Sequence, residues 1–123
     1  MPSNPRRVLI IDDNVNLAEN IAEILGLDGY VTEVAACGEE ALSKAVPIKP
    51  DVIVTDYRLP DTNGAALLRQ LRGMGLTVQA IVISAYTDEG TITDAASAGA
   101  AFVPKPVDFE LLGKAIRDYE MSA

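Results

Sequence analysis

The sequence predicts a doubly wound α/β fold, (βα)5, with a five-stranded parallel sheet in the order 2-1-3-4-5. Three observations predict it. Short continuous apolar runs, the mark of strands covered on both faces, alternate with stretches of helical spacing. That alternation calls for a parallel sheet joined by right-handed crossovers. Four of the five strands also end in a polar residue fit for chemistry, where an open α/β sheet places its ligands.

The elements follow in order. Val8-Leu9-Ile10-Ile11 is the first buried run, and Leu17, Ile21, Ile24 and Leu25 then recur at helical spacing until Gly29 stops them. Residues 30–35 read as the second strand, and a short helix over 39–46 follows Gly38. Val52-Ile53-Val54 is the third strand, preceded by Pro50 and ended by Asp56. Ala65, Leu68 and Leu71 mark a third helix opened at Gly64, and Ala80-Ile81-Val82-Ile83 is the fourth strand. The fourth helix, over 88–98, has a weak apolar stripe, mainly Ile92, Ala95 and Ala96. Ala101-Phe102-Val103 is a short fifth strand. Asp108 then caps a last helix with Leu112, Ala115, Ile116 and Tyr119 on one face. Without repeats or linkers, the 123 residues read as one domain over 1–123 with its core at 7–119.

Composition narrows the chemistry. The chain is 49% hydrophobic with a mean hydropathy of +0.18, too apolar for a disordered tail. No apolar run reaches the ~18 residues of a membrane span, and residues 1–7 lack a signal-peptide core. A cytoplasmic location and no membrane association are expected. The lone Cys37 suits a reducing compartment and reads as a loop or cap residue. Ten Lys+Arg against eighteen Asp+Glu give a net charge of −8, which repels phosphate backbones and argues against direct nucleic-acid binding. Histidine is absent, which excludes His-ligated zinc and every Ser-His or Cys-His triad. Carboxylates, hydroxyls and lysine remain.

The first strand ends in Asp12-Asp13, the third in Asp56, the fourth in Ser84, and the fifth runs into Lys105. For order 2-1-3-4-5 the switch point lies between the first and third strands, so Asp13 and Asp56 should face each other across it. Two unit charges ~4 Å apart interact by about 4 kcal/mol at an effective dielectric near 20. Three clustered carboxylates and one lysine leave −2, so either a carboxyl holds a proton or a divalent cation sits there. All-oxygen ligands of this kind suit Mg²⁺, and a lysine and a hydroxyl opposite would meet phosphoryl oxygens. The set reads as a phosphoryl-transfer site. Singly, each residue has a plainer reading. An aspartate at a strand end usually caps a turn or helix, Ser84 would be a loop hydroxyl, and Lys105 a solvated charge. Lys105, however, lies between Pro104 and Pro106, which restrict its backbone on both sides. The coincidence at successive strand ends outweighs the separate readings.

These residues resemble the response regulator receiver domain of two-component signalling, a flavodoxin-like, CheY-like fold. The matching pieces are 8–13 (VLIIDD), 56–64 (DYRLPDTNG), Ile83-Ser84-Ala85 and 99–106 (GAAFVPKP). The resemblance spans the chain from about Arg7 to Tyr119. It implies that Asp56 accepts a phosphoryl group from a sensor histidine kinase or phosphotransfer protein. Asp13 would be a direct metal ligand, Asp12 would orient metal-bound water, and the Arg58 carbonyl would complete the protein's ligands to Mg²⁺, with Mn²⁺ as the alternative. Ser84 and Lys105 would bind the phosphoryl group, Ala85 would leave room for its entry, and Phe102 would be the aromatic switch. Pro106 would follow a cis peptide, and Arg58 and Tyr86 would flank the mouth and set phosphoryl lifetime. Ser84 stands where the family commonly has threonine, and loses a methyl that restrains its rotamer. Phe102 has no phenolic oxygen, so a switch there works by packing.

The implied output is a change of the face formed by the fourth helix, fifth strand and fifth helix. That face would be read by a downstream protein, a fused output domain or a phosphorylation-dependent homodimer. The rival readings are an interaction module that takes no phosphate, an aspartate-based phosphohydrolase, and a flavodoxin-like cofactor carrier. Their discriminants are the intact acidic set, the lack of room for a substrate cap in 123 residues, and the lack of a Ser/Thr/Gly-rich phosphate loop after Ile11.

Overall fold

Five strands, β1 (Arg7–Ile11), β2 (Val31–Ala35), β3 (Val52–Asp56), β4 (Gln79–Ser84) and β5 (Ala100–Pro104), pair in parallel in the order β2-β1-β3-β4-β5. The computed structural model describes residues 6–122, with side chains to Asp118. Helices α1 (Val15–Leu27), α2 (Gly38–Ile48), α3 (Gly64–Gly73), α4 (Glu89–Ser97) and α5 (Phe109–Ser122) make the crossovers. The expected architecture and order are both present.

Strand alternation sorts the core into two layers. Val8, Ile10, Val52, Val54, Ile81, Ile83 and Val103 pack with Ala18, Ile21 and Leu25 of α1 and Leu112 and Ile116 of α5. Leu9, Ile11, Ile53, Ala80 and Val82 pack on the other face with α2, α3 and α4. Because both faces are covered, β1, β3 and β4 read as unbroken apolar runs. Each fully buried Leu or Ile contributes about 1.5–3 kcal/mol, and this fixes the sheet from which the site projects. Tyr119, expected on the apolar face of α5, lies outside the residues whose side chains are described.

Capping sets the helix phases. Asn14, neither aspartate before it, caps α1 by accepting from Leu17 N–H at 3.2 Å. Gly29 follows with φ +98°, a conformation that favours glycine. Cys37 is the N-cap of α2, as its plain reading had it, with Sγ accepting from Glu40 N–H at 3.5 Å. That helix extends to Ile48, past the expected end at 46, and takes Pro47 into its last turn before Lys49 ends it at φ 54°. Asp108 caps α5 as expected, through Leu111 N–H at 3.1 Å.

The expected stripe of α4 is corrected. Asp88 caps both the N–H (3.0 Å) and the hydroxyl (2.9 Å) of Thr91, which turns Thr91, Ala95 and Ala98 inward. Ile92 and Ala96, one residue further round the helix, face outward. Two small residues and a threonine bury little area, so α4 is lightly held by apolar contact.

Candidate functional site

The carboxyl ends of β1, β3, β4 and β5 converge. Asp12 follows β1 and continues its ladder, donating its N–H to Ala35 O at 3.0 Å. Its side chain is fully buried, and Asp56 at the end of β3 is 8% exposed. Asp13 stands exposed beside them, and one carboxylate oxygen from each of the three lies within 4.8 Å of the others. Asp13 and Asp56 therefore face each other across the switch point, as expected.

Lys105 bridges the two buried carboxylates, with Nζ 3.0 Å from Asp12 Oδ2 and 3.3 Å from Asp56 Oδ2. Its backbone N–H donates to Ser84 O at 2.8 Å, and the Lys105-Pro106 bond is cis, as the motif implied. Asp12 also accepts from Asn14 N–H at 2.9 Å through its other oxygen. Burial raises the Asp56 pKa, the Asp12 charge raises it further, and Lys105 and the Arg58 N–H only partly offset them. Burial works against the charge on Lys105, but its hydrogen bond to Asp12 and the two carboxylate charges win and raise its pKa. One lysine against three carboxylates leaves a net −2 in a half-closed pocket. The donor set is oxygen only, a choice that suits a hard divalent cation such as Mg²⁺. The residues fit the ion.

Ser84 is fully buried and its Oγ accepts from Tyr86 N–H at 2.9 Å. Ala85 and Tyr86 are exposed at the rim. The Arg58 guanidinium stacks over the Tyr86 ring at 3.9 Å from its centroid, a cation–π contact that joins the two rim residues. Phe102 is half-buried against the α3/α4 side of the core. Residues 57–63 fold back as a short hairpin, pinned where Gly64 N–H donates to Tyr57 O at 2.7 Å and Asn63 caps α3 through Ala66 N–H at 2.9 Å. Gly64 has no side chain for a reason: a Cβ there would lie 2.7 Å from Asp56 O.

The family model described as the response regulator receiver domain matches residues 8–117. The chain belongs to the response regulator receiver family. A response regulator receiver protein of Anaeromyxobacter sp. (strain Fw109-5) is 41% identical over 83% of this receiver and 43% of that protein. The transcriptional regulatory protein FixJ of Rhizobium meliloti is 32% identical over 89% of the receiver and 54% of FixJ. The receiver thus spans about half the length of these two relatives. Among solved structures, a CheY-like receiver domain of Methanospirillum hungatei JF-1 superposes with TM-score 0.88 at 28% identity, covering 94% of each chain. A FixJ-N crystal structure superposes with TM-score 0.83 at 30% identity, covering 94% of the receiver and 93% of that chain.

Four polar residues of this receiver take structural parts that sequence reasoning missed. Tyr57 donates its hydroxyl to Asp94 Oδ2 at 2.7 Å, and Arg69 holds Asp94 Oδ1 at 2.7 Å, so α4 is tied to the residue after Asp56. Asp61 accepts from Gly38 and Glu39 of α2. Partners 37 and 23 residues away leave no signal in spacing; a tyrosine beside a buried aspartate was the one available hint.

Proposed function

We propose that this receiver domain takes a phosphoryl group on Asp56 from a sensor histidine kinase or a phosphotransfer protein. It then signals through the face formed by α4, β5 and α5. The observation that carries the reading is the buried Asp12–Lys105–Asp56 bridge with Asp13 within 4.8 Å.

Asp12, Asp13, Asp56 and the carbonyl of Arg58 would hold Mg²⁺, or Mn²⁺ in its place. When bound, the ion neutralises excess carboxylate charge and draws phosphoryl oxygens into line. Asp56 supplies the attacking oxygen: an O–P bond forms, the P–N bond of a donor phosphoimidazole breaks, and the electron pair returns to the imidazole. Lys105 sits 3.3 Å from the nucleophilic carboxylate, where its ammonium meets the charge that arrives with the phosphoryl group. Ser84 exchanges the Tyr86 N–H for a phosphoryl oxygen, and Phe102 fills the space its loop vacates. Ala85 leaves the entry open, while stacked Arg58 and Tyr86 screen attacking water. The phosphoryl group adds about −1.5 to −2 charge at one point, enough to bias a lightly held α4.

The domain acts as a switch, catalysing only its own phosphotransfer and dephosphorylation, and works in the cytoplasm. No described helix is long and apolar enough to cross a membrane. A downstream protein, a fused output domain or a second phosphorylated copy reads the altered face. Incubation with Mg²⁺ and acetyl phosphate, followed by intact mass, tests this. A single phosphoryl adduct, absent in Asp56→Asn and without EDTA-resistant signal, is expected. No adduct would point to a phosphate-independent module, and turnover of external phosphoesters to a hydrolase.

A further inference from the structure

We infer that Asp61 is a positioning residue for the site, tying the loop that carries Arg58 to the N-terminus of α2. The inference rests on the metal-site reading above. Asp61 lies at the tip of the hairpin 57–63, away from the acidic cluster. Its Oδ1 accepts from Gly38 N–H at 2.8 Å and its Oδ2 from Glu39 N–H at 2.9 Å. These two amides belong to the first turn of α2, where a helix has no carbonyl partners of its own to offer. Cys37 gives α2 only a sulfur acceptor, at 3.5 Å from Glu40 N–H. A carboxylate satisfies the remaining donors and suits the positive end of the helix dipole. The two backbone bonds depress the Asp61 pKa, Gly38 first and Glu39 second.

The packing around this link is close. A Cβ on Gly38 would sit 2.6 Å from Thr62 Cγ2 and 3.2 Å from Asp61 Oδ1, so glycine lets the hairpin close on the helix. The hairpin itself is braced by the Arg58–Asn63 bridge and by Leu59 N–H donating to Thr62 O at 3.1 Å. Its base is pinned to α3 through Asn63, and its tip is pinned to α2 through Asp61. Arg58 stands at the base, bridged to Asn63, and its backbone N–H helps to lower the pKa of the Asp56 carboxylate. Releasing the tip lets Arg58 sample positions unfit for either the ion or Asp56. Apparent Mg²⁺ affinity then falls by the fraction of time the loop is competent.

Mg²⁺ alone is titrated into the wild type, Asp61→Ala, Asp61→Asn and Glu40→Ala, followed by amide NMR. Phosphorylation by acetyl phosphate is measured across the same Mg²⁺ range. Glu40→Ala removes the bond that α2 makes to Ala36 N–H at 2.6 Å, weakening the same helix start without touching the hairpin. Asp61→Ala should raise the Mg²⁺ dissociation constant about fivefold, with Asp61→Asn between it and the wild type because one acceptor oxygen remains. At saturating Mg²⁺ the phosphorylation rate of Asp61→Ala should return to the wild-type level, since bound ion restores the loop. Glu40→Ala should lose thermal stability with unchanged Mg²⁺ affinity. Equal affinity in Asp61→Ala and wild type, or an equal loss in Glu40→Ala, overturns the inference. A wild type that takes up no Mg²⁺ overturns the site reading itself, a different result.

Discussion

Asp56→Asn should stabilise the metal-free domain. Asp12, with a carboxylate oxygen within 4.8 Å of Asp56, repels it by about 3.5 kcal/mol at an effective dielectric near 20. Lys105 at 3.3 Å attracts it by about 5 kcal/mol on the same scale. Asp13 is exposed, and water reduces its repulsion to about 1 kcal/mol. These contributions nearly cancel, so burial decides, and burial is the leading cause of the raised Asp56 pKa. Full burial of a carboxylate costs several kcal/mol; at a pocket mouth a neutral amide should recover about 1–2 kcal/mol, or about 5 °C in melting temperature for a domain of this size. The measurement is thermal unfolding by circular dichroism at neutral pH with EDTA. A carboxyl whose folded pKa is raised costs nothing below its unfolded pKa; the cost builds as pH rises from that value and is complete above the raised one. The advantage of asparagine should therefore fade as pH falls toward the ordinary aspartate value of 3.8. Adding Mg²⁺ should raise the wild-type melting temperature more than that of the variant, narrowing the gap. An Asp56→Asn protein that melts below the wild type in EDTA refutes the electrostatic reasoning.

Lys105→Met should cost about 2–3 kcal/mol, because buried Asp12 loses its 3.0 Å cation; the urea midpoint at unchanged slope reads this, and an unshifted midpoint contradicts it. Gly64→Ala should cost about 2 kcal/mol, since the new methyl meets Asp56 O at 2.7 Å and backbone cannot swing aside. The same variant should phosphorylate more slowly, as acetyl phosphate kinetics would register. Asp94→Ala should release Tyr57 and Arg69 at a cost of about 1–2 kcal/mol, and hydrogen exchange should quicken in α4 while α1 stays protected.

The sheet and the polar strand ends were legible because both faces of β1, β3 and β4 are covered. Unbroken apolar runs identify such strands, and the residue ending each run is then forced to the carboxyl edge. Asp12, Asp13, Asp56, Ser84 and Lys105 were all found this way. Helix ends marked by Asp108 and Gly29 were legible from capping chemistry, whereas Asp88, read as the first residue of α4, is its N-cap. The inward face of α4 was not: a short helix with Thr91, Ile92, Ala95 and Ala96 has no clear periodicity, and the Asp88–Thr91 bonds choose its phase. The extra residues of α2 were hidden by Pro47, which a last helical turn tolerates here. Asp61 and Asp94 were unreadable for another reason. Each bonds to an element brought near only by the crossovers, and nothing local distinguishes them from solvated turn or helix acids.

Alternation along the strands also divides the site between two sides of the sheet. Asp56 shares parity with Val52 and Val54, whose layer faces α1 and α5, and Asp12 and Lys105 continue that parity from Ile10 and Val103. Ser84 shares parity with Ala80 and Val82, whose layer faces α3 and α4, and Tyr57 and Phe102 pack on that side too. Charge therefore gathers on one side, and the groups that touch α4 stand on the other. Under the proposed function, a phosphoryl group on Asp56 would have two short routes to α4: through Ser84, whose hydroxyl is held by Tyr86 N–H, and through Tyr57, whose hydroxyl holds Asp94. The first route exchanges one hydrogen bond for another within the pocket. The second must be broken or kept by the motion of α4 itself. A helix with few buried apolar contacts but a 2.7 Å phenol–carboxylate bond beside Asp56 is held by a polar latch, and under the proposed function such a latch would respond to added charge more readily than a packed face.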